Sequence, residues 1–466
     1  MNNYITPNDF GIMAESDSIS IQNAVDEAKK SGFDRVVIPR INERTGKPQW
    51  DVDKAVMLTS NLEIVLDNCY IRQIDGSMDN VFTNHIYRQP DTTVKGQQEN
   101  IRIVGKGNAV IDGGVPNGLS EFTSLKDGNP HISKNNPILL HNIRGLVIDN
   151  ITIKNQRWWG INLLYVEKAR LSNINIDAQN NMRNQDGIDL RVGCHDIVIE
   201  NIWGQSGDDL IALSAIGTGE RKLYGVEGKD SDIHDIIIRN VVGTSAECAI
   251  IALRNSDGNK MYNISIDGVY DTLNGVQNKD YKTGNFFLNK SEKFLKIGAM
   301  APYAVVRIGQ HEFFSERVNE PGEIYGIRVS NIFSRCNNAI MINVSLQDSY
   351  FSNIYGAENV TCLISTSSEW DGHIWGVDMK NVTFENLYFP NANDEAWAFD
   401  YRINREEKTF ENVYIKNAFL GRCKKILNME HKGQIVIDGV FVDDFEDAII
   451  ENKNGAKVVI NGKVMI

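Results

Sequence analysis

A short apolar pattern centred on an asparagine recurs along most of this 466-residue chain. Examples are IVLDNCYI, LVIDNITI, ARLSNINI, IVIENIWG and VTFENLYF, in which apolar residues alternate on either side of the asparagine. The central asparagines are Asn68, Asn150, Asn173, Asn201, Asn240, Asn331, Asn353, Asn386 and Asn412. In ISIDGVY and IVIDGVFV a glycine, Gly268 or Gly439, takes the place of the asparagine. Repeats of a few tens of residues built from short strands predict a solenoid or a propeller rather than separate globular domains.

A right-handed parallel β-helix explains this repeat better than a propeller does. Propeller blades need about 40 residues and four strands each, and the sequence carries no blade signature. In a parallel β-helix each coil stacks on the previous one at about 4.8 Å, so the inward apolar residues form one continuous core. We therefore predict a single all-β domain over residues 1–466, with an N-terminal cap segment at 1–45 and stacked coils from about residue 60.

One amphipathic helix precedes the repeats. Apolar residues follow at helical spacing from Ile21 to Ala28. Asp17 or Ser18 is placed to cap the start of this helix, and Gly32 is placed to end it. We expect the helix, over residues 18–30, to cover the first coil, whose strand edges are otherwise unpaired. The repeated asparagines tolerate left-handed backbone and suit the bends between strands, so we interpret them as scaffold.

Composition and charge narrow the possible partners. The chain has 48 basic and 61 acidic residues, a net charge of −13, and no basic run that could follow a phosphate backbone, so nucleic acid is not expected. No stretch of about 18 apolar residues occurs, so no membrane partner is expected. The six cysteines form no CxxC pair and predict buried thiols, with no metal and no cofactor. The N-terminus has no signal-peptide pattern, which favours a cytoplasmic protein, the alternative being a secreted one whose signal has been removed.

Three acidic residues stand just ahead of two neighbouring repeat strands. The tetrapeptide NQDG, with Asp186, precedes one strand, and the tripeptide GDD, with Asp208 and Asp209, precedes the next. Aligning GIDLRV with DLIALS places Asp186 directly below Asp208, about one coil away. Carboxylates one strand spacing apart repel each other, which favours keeping a proton on one of them.

Such a cluster is suited to glycoside hydrolysis. One carboxylic acid protonates the leaving oxygen, while other carboxylates activate a water molecule. The alternative interpretation is structural, with the acids capping backbone N–H groups or binding a cation. Coil corners elsewhere in this chain use asparagine or glycine, so three acids together favour the catalytic interpretation.

The two acidic motifs, set between asparagine-centred strands, resemble glycoside hydrolase family 28, the polygalacturonases and related pectinases. The opening segment NDFGI…DSISIQNAVDEAKKSGFDRVVIP is also similar to the N-terminal cap of that family. The resemblance implies a right-handed parallel β-helix and hydrolysis with inversion. It makes Asp208 the general acid, with Asp186 and Asp209 holding and deprotonating the water. Carboxylates about 5 Å apart would favour retention, but we expect inversion because this distance measures only indirectly whether a water fits.

Two other motifs of the family are changed. Its Gly-His-Gly falls on Glu247, Cys248 and Ala249. Its Arg-x-Lys, which grips a galacturonate carboxylate, keeps Arg307 but has Gly309 in place of the lysine. A galacturonate beside three acids on a protein of net charge −13 needs a close cation. We therefore predict that plain polygalacturonate is not the preferred substrate and that a neutral or mixed glycan is.

Six further residues are candidates for contacting the substrate, namely Arg307, Glu247, Arg254, Arg191, Trp158 and Asn184. The arginines supply local positive charge, and an acid at position 247 suits hydrogen bonds to sugar hydroxyls. Asn184 belongs to the NQDG motif. Of the adjacent Trp158 and Trp159, we expect one in the core and one outside, where it can stack on a sugar ring.

The sequence thus predicts an inverting glycosidase of the pectinase type that acts on a plant or microbial glycan. Two long non-repeat segments, 113–137 and 273–300, are placed to wall off one end of a groove, which favours exo-action. Two alternatives stay open at this point: a β-helix polysaccharide lyase or epimerase, and a non-catalytic carbohydrate-binding β-helix. The oligomeric state is left open.

Overall fold

The structure is a computed structural model, and it describes residues 4–84, 96–118, 134–179, 184–216, 224–246, 248–272, 304–309, 319–366, 377–402 and 408–465. Within these residues the chain divides into two compact units. The first unit comprises residues 4–212 and 224–231, and the second comprises residues 213–216 and the described residues from 232 onward. That the whole chain is one domain stays a prediction.

The first unit contains one α-helix and a series of short parallel strands. Its elements are two 3-10 helices (Pro7–Asp9 and Gly11–Met13), α1 (Asp17–Ser31), β1 (Arg35–Pro39), β2 (Trp50–Val52), β3 (Val56–Leu58), β4 (Leu62–Asp67), β5 (Tyr70–Gln73), β6 (Phe82–Asn84), β7 (Gln98–Lys106), β8 (Val110–Asp112), β9 (Ile138–Lys154), β10 (Ile161–Asp177), β11 (Ile188–Arg191) and β12 (His195–Ser206). Strands β1, β4, β7, β9, β10 and β12 pair in parallel, one coil after another. Strands β3, β6, β9, β10 and β11 form a second such column, so each coil contributes to several sheets.

The second unit repeats this architecture. Strand β13 (Ile211–Ala215) begins in the first unit and ends in the second. The further strands are β14 (Ile233–Ser245), β15 (Ala249–Asn255), β16 (Met261–Asp271), β17 (Ala304–Ile308), β18 (Ile324–Ser334), β19 (Asn338–Ile342), β20 (Leu346–Gly356), β21 (Cys362–Ser365), β22 (Met379–Tyr388), β23 (Trp397–Tyr401), β24 (Thr409–Gly421), β25 (Lys425–Met429), β26 (Lys432–Val442), β27 (Ile449–Asn452), β28 (Lys457–Ile460) and β29 (Lys463–Met465). The even-numbered strands from β14 to β28 pair in parallel, as do the odd-numbered strands from β15 to β27, and β29 closes antiparallel on β28.

The core of each unit is a stack of apolar side chains, one from each coil. In the first unit Ile103, Ile148 and Leu171 follow one another at matching positions, and all three are fully buried. In the second unit Phe351 lies under Phe384, with ring centroids 4.8 Å apart. Burial of such columns stabilises successive coils together. The predicted all-β class and the parallel β-helix fold are confirmed.

The predicted N-terminal helix is confirmed with one change at its start. Ser16, rather than Asp17 or Ser18, is the N-cap, because its side chain accepts the Ile19 N–H. The Asp17 carboxylate instead accepts hydrogen bonds from the Arg44 guanidinium at 2.6 Å and 2.8 Å, and from a backbone N–H of β2. Gly32 ends the helix with φ 74°, as predicted.

The predicted role of the asparagines as bend residues is confirmed. All nine have φ between 49° and 58°, in the left-handed region. Their amides also bond from coil to coil, as from Asn201 Nδ2 to Asn173 Oδ1 at 3.1 Å. Asn412 lies at a different bend from the one expected, because its amide bonds to Asn381, while Asn417 bonds to Asn386 and continues the main series.

The structure also bears on the cysteines, on membrane spans and on the two long segments. The six cysteines are free thiols, five buried and Cys248 half-buried. Among the described residues, no helix has the length and apolar character needed to cross a bilayer. Of the segment 113–137, residues 119–133 lie outside the described residues, and so does all of the segment 273–300.

Candidate active site

The three predicted catalytic acids lie in the first unit, in the loops that lead into β11 and β13. A backbone hydrogen bond fixes how these loops align. The Ile188 N–H donates to the Leu210 carbonyl at 3.0 Å, which in a parallel pair sets Ile188 beside Ile211. Two further backbone bonds flank Asp186, from the Gly187 N–H to the Asp209 carbonyl and from the Gly207 N–H to the Gln185 carbonyl, both at 3.0 Å, so Asp186 lies opposite residues 207–209.

The sequence alignment of GIDLRV with DLIALS is therefore one residue out within the strands, and the bonds of residues 207 and 209 take up this shift in the loops ahead of them. Five of the six residues of LIALSA are apolar, so the hydrophobic pattern fits two registers equally well. Matching positions on neighbouring coils are about 4.8 Å apart. Asp208 and Asp209 thus lie on the coil next to Asp186, in the segment opposite it.

The three acids differ in their exposure to solvent. Asp186 is 2% exposed and Asp209 is fully buried, whereas Asp208 is half-buried. The Asp209 N–H donates to Asp208 Oδ1 at 2.9 Å, and the Ser206 hydroxyl donates to the Asp208 carbonyl at 2.6 Å. These bonds hold Asp208 in place while leaving part of it accessible. Of the three acids, Asp208 has the access that a proton donor to a leaving group needs.

Sequence reasoning missed a pair of buried glutamines beside Asp186. Gln156 Nε2 donates to the carbonyls of Gln185 and Asp186, and Gln185 Nε2 donates to the Gln156 carbonyl. The signal was present in the NQDG motif, whose glutamine we did not consider, but nothing in the sequence connects it to position 156. The Asp186 carbonyl also accepts the Gly160 N–H at 3.0 Å.

Asn184 opens the same loop with φ 56°. The residue is half-buried, but its Oδ1 is itself buried and accepts no hydrogen bond from the described part of the chain. This burial gives no support to a contact between the Asn184 Oδ1 and a sugar hydroxyl. Asn184 stays a candidate for substrate binding.

The two tryptophans are packed rather than displayed. Trp158 is 2% exposed and Trp159 is 6% exposed, with ring centroids 5.8 Å apart, so the expectation that one lies outside is wrong. Both tryptophans lie in the segment between β9, which ends at Lys154, and β10, which begins at Ile161. Arg191 is also buried, and its guanidinium lies 4.4 Å from the centre of the Trp159 ring. This cation–π contact holds the positive charge of Arg191 against Trp159.

The remaining predicted contact residues do not belong to the first unit. Arg254 on β15 is half-buried, and Arg307 on β17 is 5% exposed, in parallel register with Ala252. Arg307 Nε is buried and donates no hydrogen bond to the described residues. Glu247 lies outside the described residues. The structure therefore brings together the three acids and Asn184 in one unit, and it leaves the roles of Arg254, Arg307 and Glu247 as predictions.

Comparison with known proteins supports the resemblance. Residues 71–228 match the sequence profile described as glycosyl hydrolases family 28, and this stretch contains all three acids. A putative galacturan 1,4-alpha-galacturonidase C of Aspergillus niger is 29% identical over 123 residues, which cover 25% of this chain and 28% of that protein. The chain thus aligns with little more than a quarter of the length of this relative.

Two solved structures share the fold over most of the chain. The A-module of the mannuronan C-5 epimerase AlgE6 of Azotobacter vinelandii has a TM-score of 0.55 at 11% identity, with 94% of this chain and 99% of that chain covered. The tailspike protein of E. coli bacteriophage HK620, in complex with a pentasaccharide, has a TM-score of 0.56 at 13% identity, with 99% and 79% covered. At such identities the likeness concerns the fold alone.

The predicted resemblance to glycoside hydrolase family 28 is therefore confirmed over this stretch of the chain. The family match ends at residue 228. The acids of the first unit lie inside it, whereas Arg254 and Arg307 lie beyond it.

Proposed function

We propose that this chain is an inverting glycoside hydrolase of the pectinase type that acts at the ends of its glycan substrate. The observation that carries the proposal is the placement of the acids within the stretch that matches family 28. Asp186 and Asp209 lie on neighbouring coils and are buried, and the half-buried Asp208 directly precedes Asp209 in the segment opposite Asp186.

The exposures of the three acids support the following roles. Asp208 is the general acid and transfers its proton to the glycosidic oxygen as the bond to the anomeric carbon breaks. Asp186 and Asp209 hold a water molecule on the opposite face of the sugar and take its proton as the new carbon–oxygen bond forms. Attack from the opposite face inverts the anomeric configuration. Exchange with solvent through the exposed side of Asp208 then restores its proton.

The proposed substrate is a mixed glycan that carries uronate units among neutral sugars. The name of the Aspergillus relative refers to a galacturan, which supports a uronate-containing substrate. The family's lysine, however, is replaced by Gly309, which has φ 100°. A β-carbon at this position would lie 2.5 Å from Val344 Cγ1, so the local backbone is built for glycine. The second cation of the family's Arg-x-Lys pair is therefore absent at that position, which disfavours runs of uronate units.

The decisive experiment compares wild type with Asp186→Asn, Asp208→Asn and Asp209→Asn on a panel of glycans. The panel contains polygalacturonate, its methyl ester, rhamnogalacturonan oligosaccharides and neutral galactan. We expect each variant to lose roughly 10²–10⁴-fold in rate. Asp177→Asn is a control, because this half-exposed acid of the same unit pairs with Lys154 at 3.4 Å. A wild-type rate in any of the three variants would remove that residue from the mechanism.

Three readouts test the finer parts of the proposal. Proton NMR of the first product gives its anomeric form, and a retained anomer would contradict the assigned roles. Viscosity measured against reducing ends tests exo-action, which a rapid fall in viscosity with few new ends would contradict. Ultraviolet absorption of the digest detects the unsaturated uronate that a lyase produces. Its appearance would show that the chain cleaves by elimination and not by hydrolysis. Fastest turnover on unesterified polygalacturonate would overturn the substrate proposal.

A further inference from the structure

Two buried glutamines form a reciprocal pair directly behind Asp186. Gln156 is fully buried, and its Nε2 lies 3.2 Å from the Gln185 carbonyl and 3.0 Å from the Asp186 carbonyl. Gln185 is 1% exposed, and its Nε2 donates back to the Gln156 carbonyl at 2.9 Å. Three hydrogen bonds therefore join these residues across neighbouring coils.

The contacts determine which way the Gln156 amide points. A primary amide has two N–H donors on its nitrogen and only acceptor positions on its oxygen. Both contacts of the Gln156 amide end are to backbone carbonyls, which accept but do not donate. Turning the amide around would place Oε1 against two carbonyl oxygens, so the hydrogen-bond network settles the assignment.

The backbone of residues 185–186, to which Gln156 donates, also connects the two loops that carry the acids. The Gly207 N–H, one residue before Asp208, donates to the Gln185 carbonyl at 3.0 Å. The Gly187 N–H donates to the Asp209 carbonyl at 3.0 Å. Gln156 thus fixes the backbone of residues 185–186 from one side, while the loop with Asp208 and Asp209 bonds to it from the other.

The pair has a cost as well as a structural effect. Buried side-chain amides also donate to backbone carbonyls elsewhere in the chain, as Gln73 does to Asp79, but Gln156 does so at the backbone that carries Asp186. Gln156 Oε1 is buried and accepts no hydrogen bond within the described ranges, which costs stability. An apolar side chain would avoid that cost but would leave the carbonyls of Gln185 and Asp186 with fewer donors. The buried Gln156 Oε1 lowers the stability of the fold, while the Gln156 Nε2 fixes the backbone of residues 185–186.

We infer that Gln156, through its pair with Gln185, is a positioning residue that sets the orientation of Asp186 toward the water and toward Asp209. The inference rests on the proposed glycosidase function. The Asp186 side chain is attached to the backbone that Gln156 holds, so any movement of this backbone moves the Asp186 carboxylate. A displacement of about 1 Å in a reacting group costs up to roughly 100-fold in rate.

The test replaces Gln156 by methionine, which keeps the length of the side chain but has no donor. We expect kcat to fall roughly 10- to 100-fold, with KM changed less than about twofold, since Gln156 is buried and does not touch the substrate. Gln73→Met is the matched control. Gln73 is also fully buried in the first unit and also donates from its side-chain amide to a backbone carbonyl, that of Asp79, but it has no contact with the acid loops. An equal kcat in the two variants would overturn the inference.

A second variant separates positioning from packing. In Gln156→Glu a carboxylate faces two carbonyl oxygens, and this contact together with burial favours its protonated form. The protonated form regains one donor. We therefore expect the ratio of variant to wild-type kcat to rise as the pH is lowered, whereas a constant ratio would contradict the role of the donor.

Amide hydrogen exchange provides a readout that does not depend on activity. We expect faster exchange at Gly187 and Gly207 in Gln156→Met than in wild type, and wild-type exchange there in Gln73→Met. Unchanged exchange in Gln156→Met would overturn the inference even if kcat falls. If wild type cleaves no glycan of the panel, the proposed function fails. If wild type is active and Asp208→Asn is not, while Gln156→Met behaves like Gln73→Met, this inference alone fails.

Discussion

A buried histidine in the second unit predicts that stability falls in mild acid. His431 follows β25 and is fully buried, with its ring stacked on Phe410 at 4.4 Å. Its Nε2 accepts the Val377 N–H at 3.3 Å, so its Nδ1 carries the hydrogen and donates to the Tyr401 carbonyl at 3.1 Å. A second proton on Nε2 would face an N–H group. Desolvation by burial lowers the pKa of His431 from 6.5 to about 4.

The direction of the pH effect follows from this lowered pKa. Above pH 6.5 the imidazole is neutral in both the folded and the unfolded chain, so it adds no pH dependence. Between pH 6.5 and pH 4 the unfolded chain binds the proton and the folded chain does not, so stability is lost as the pH falls. The loss from His431 amounts to about 2 kcal/mol at pH 5 and about 3 kcal/mol at pH 4. His141 in the first unit, with its Nε2 2.7 Å from the Tyr224 carbonyl, has a pKa lowered to about 4 for the same reason.

The measurement is urea unfolding of wild type and His431→Gln at pH 8, 6, 5 and 4.5. Carboxylates also titrate in this range, so the quantity of interest is the difference between the two proteins at each pH. Glutamine does not titrate, so we expect the variant to lose less stability than wild type on going from pH 8 to pH 5, by about 2 kcal/mol. Circular dichroism at pH 8 confirms that the variant is folded. Parallel curves for the two proteins across this range would refute the reasoning.

Three further results are expected. Asp186→Asn and Asp209→Asn together should cost little more in rate than either alone, because both acids are proposed to hold the same water and so act as a unit. In steady-state kinetics, a loss in the double variant equal to the product of the two single losses would argue against a shared role. Gly309→Ala should lower the free energy of unfolding by about 1–3 kcal/mol, since the new β-carbon would lie 2.5 Å from Val344. Gly228→Ala is the control for the backbone cost alone, because Gly228 has φ 80° and no atom within 4 Å of the new β-carbon. An equal loss in both variants would show that the Val344 contact is relieved. Asn386→Ala should cost about 1–2 kcal/mol by thermal unfolding through strained left-handed backbone, and Asn386→Gly should recover part of it.

The fold was predictable because each coil carries its own local signal. An asparagine between alternating apolar residues marks a left-handed bend, and all nine such asparagines have positive φ. The helix was equally local, except for its N-cap. Ser16 takes that place because the Asp17 side chain pairs with Arg44, which is 27 residues away in the sequence. The local sequence pattern of a helix does not reveal a contact with a residue so far away in the chain.

The site was predictable in its acids but not in its supporting residues. Asp186, Asp208 and Asp209 stand out because three carboxylates on two neighbouring coils repel one another. Gln156 belongs to no motif, and its role appears only when the coil at residue 156 stacks on the coil at residue 185, 29 residues later. Burial of Trp158 was equally hidden, because alternation along a strand does not apply where the chain turns between β9 and β10.

The hydrogen bonds around Asp186 show why its neighbours could not be predicted from the strand alignment. Gly187 and Gly207 each donate a backbone hydrogen bond across the two loops, and residues 207–209 lie opposite Asp186. Asp208 and Asp209 therefore both belong to the coil next to Asp186, and burial distinguishes them, since Asp209 is fully buried and Asp208 is half-buried. The inverting mechanism proposed above needs such a distinction, because the proton donor and the attacking water act on opposite faces of the sugar.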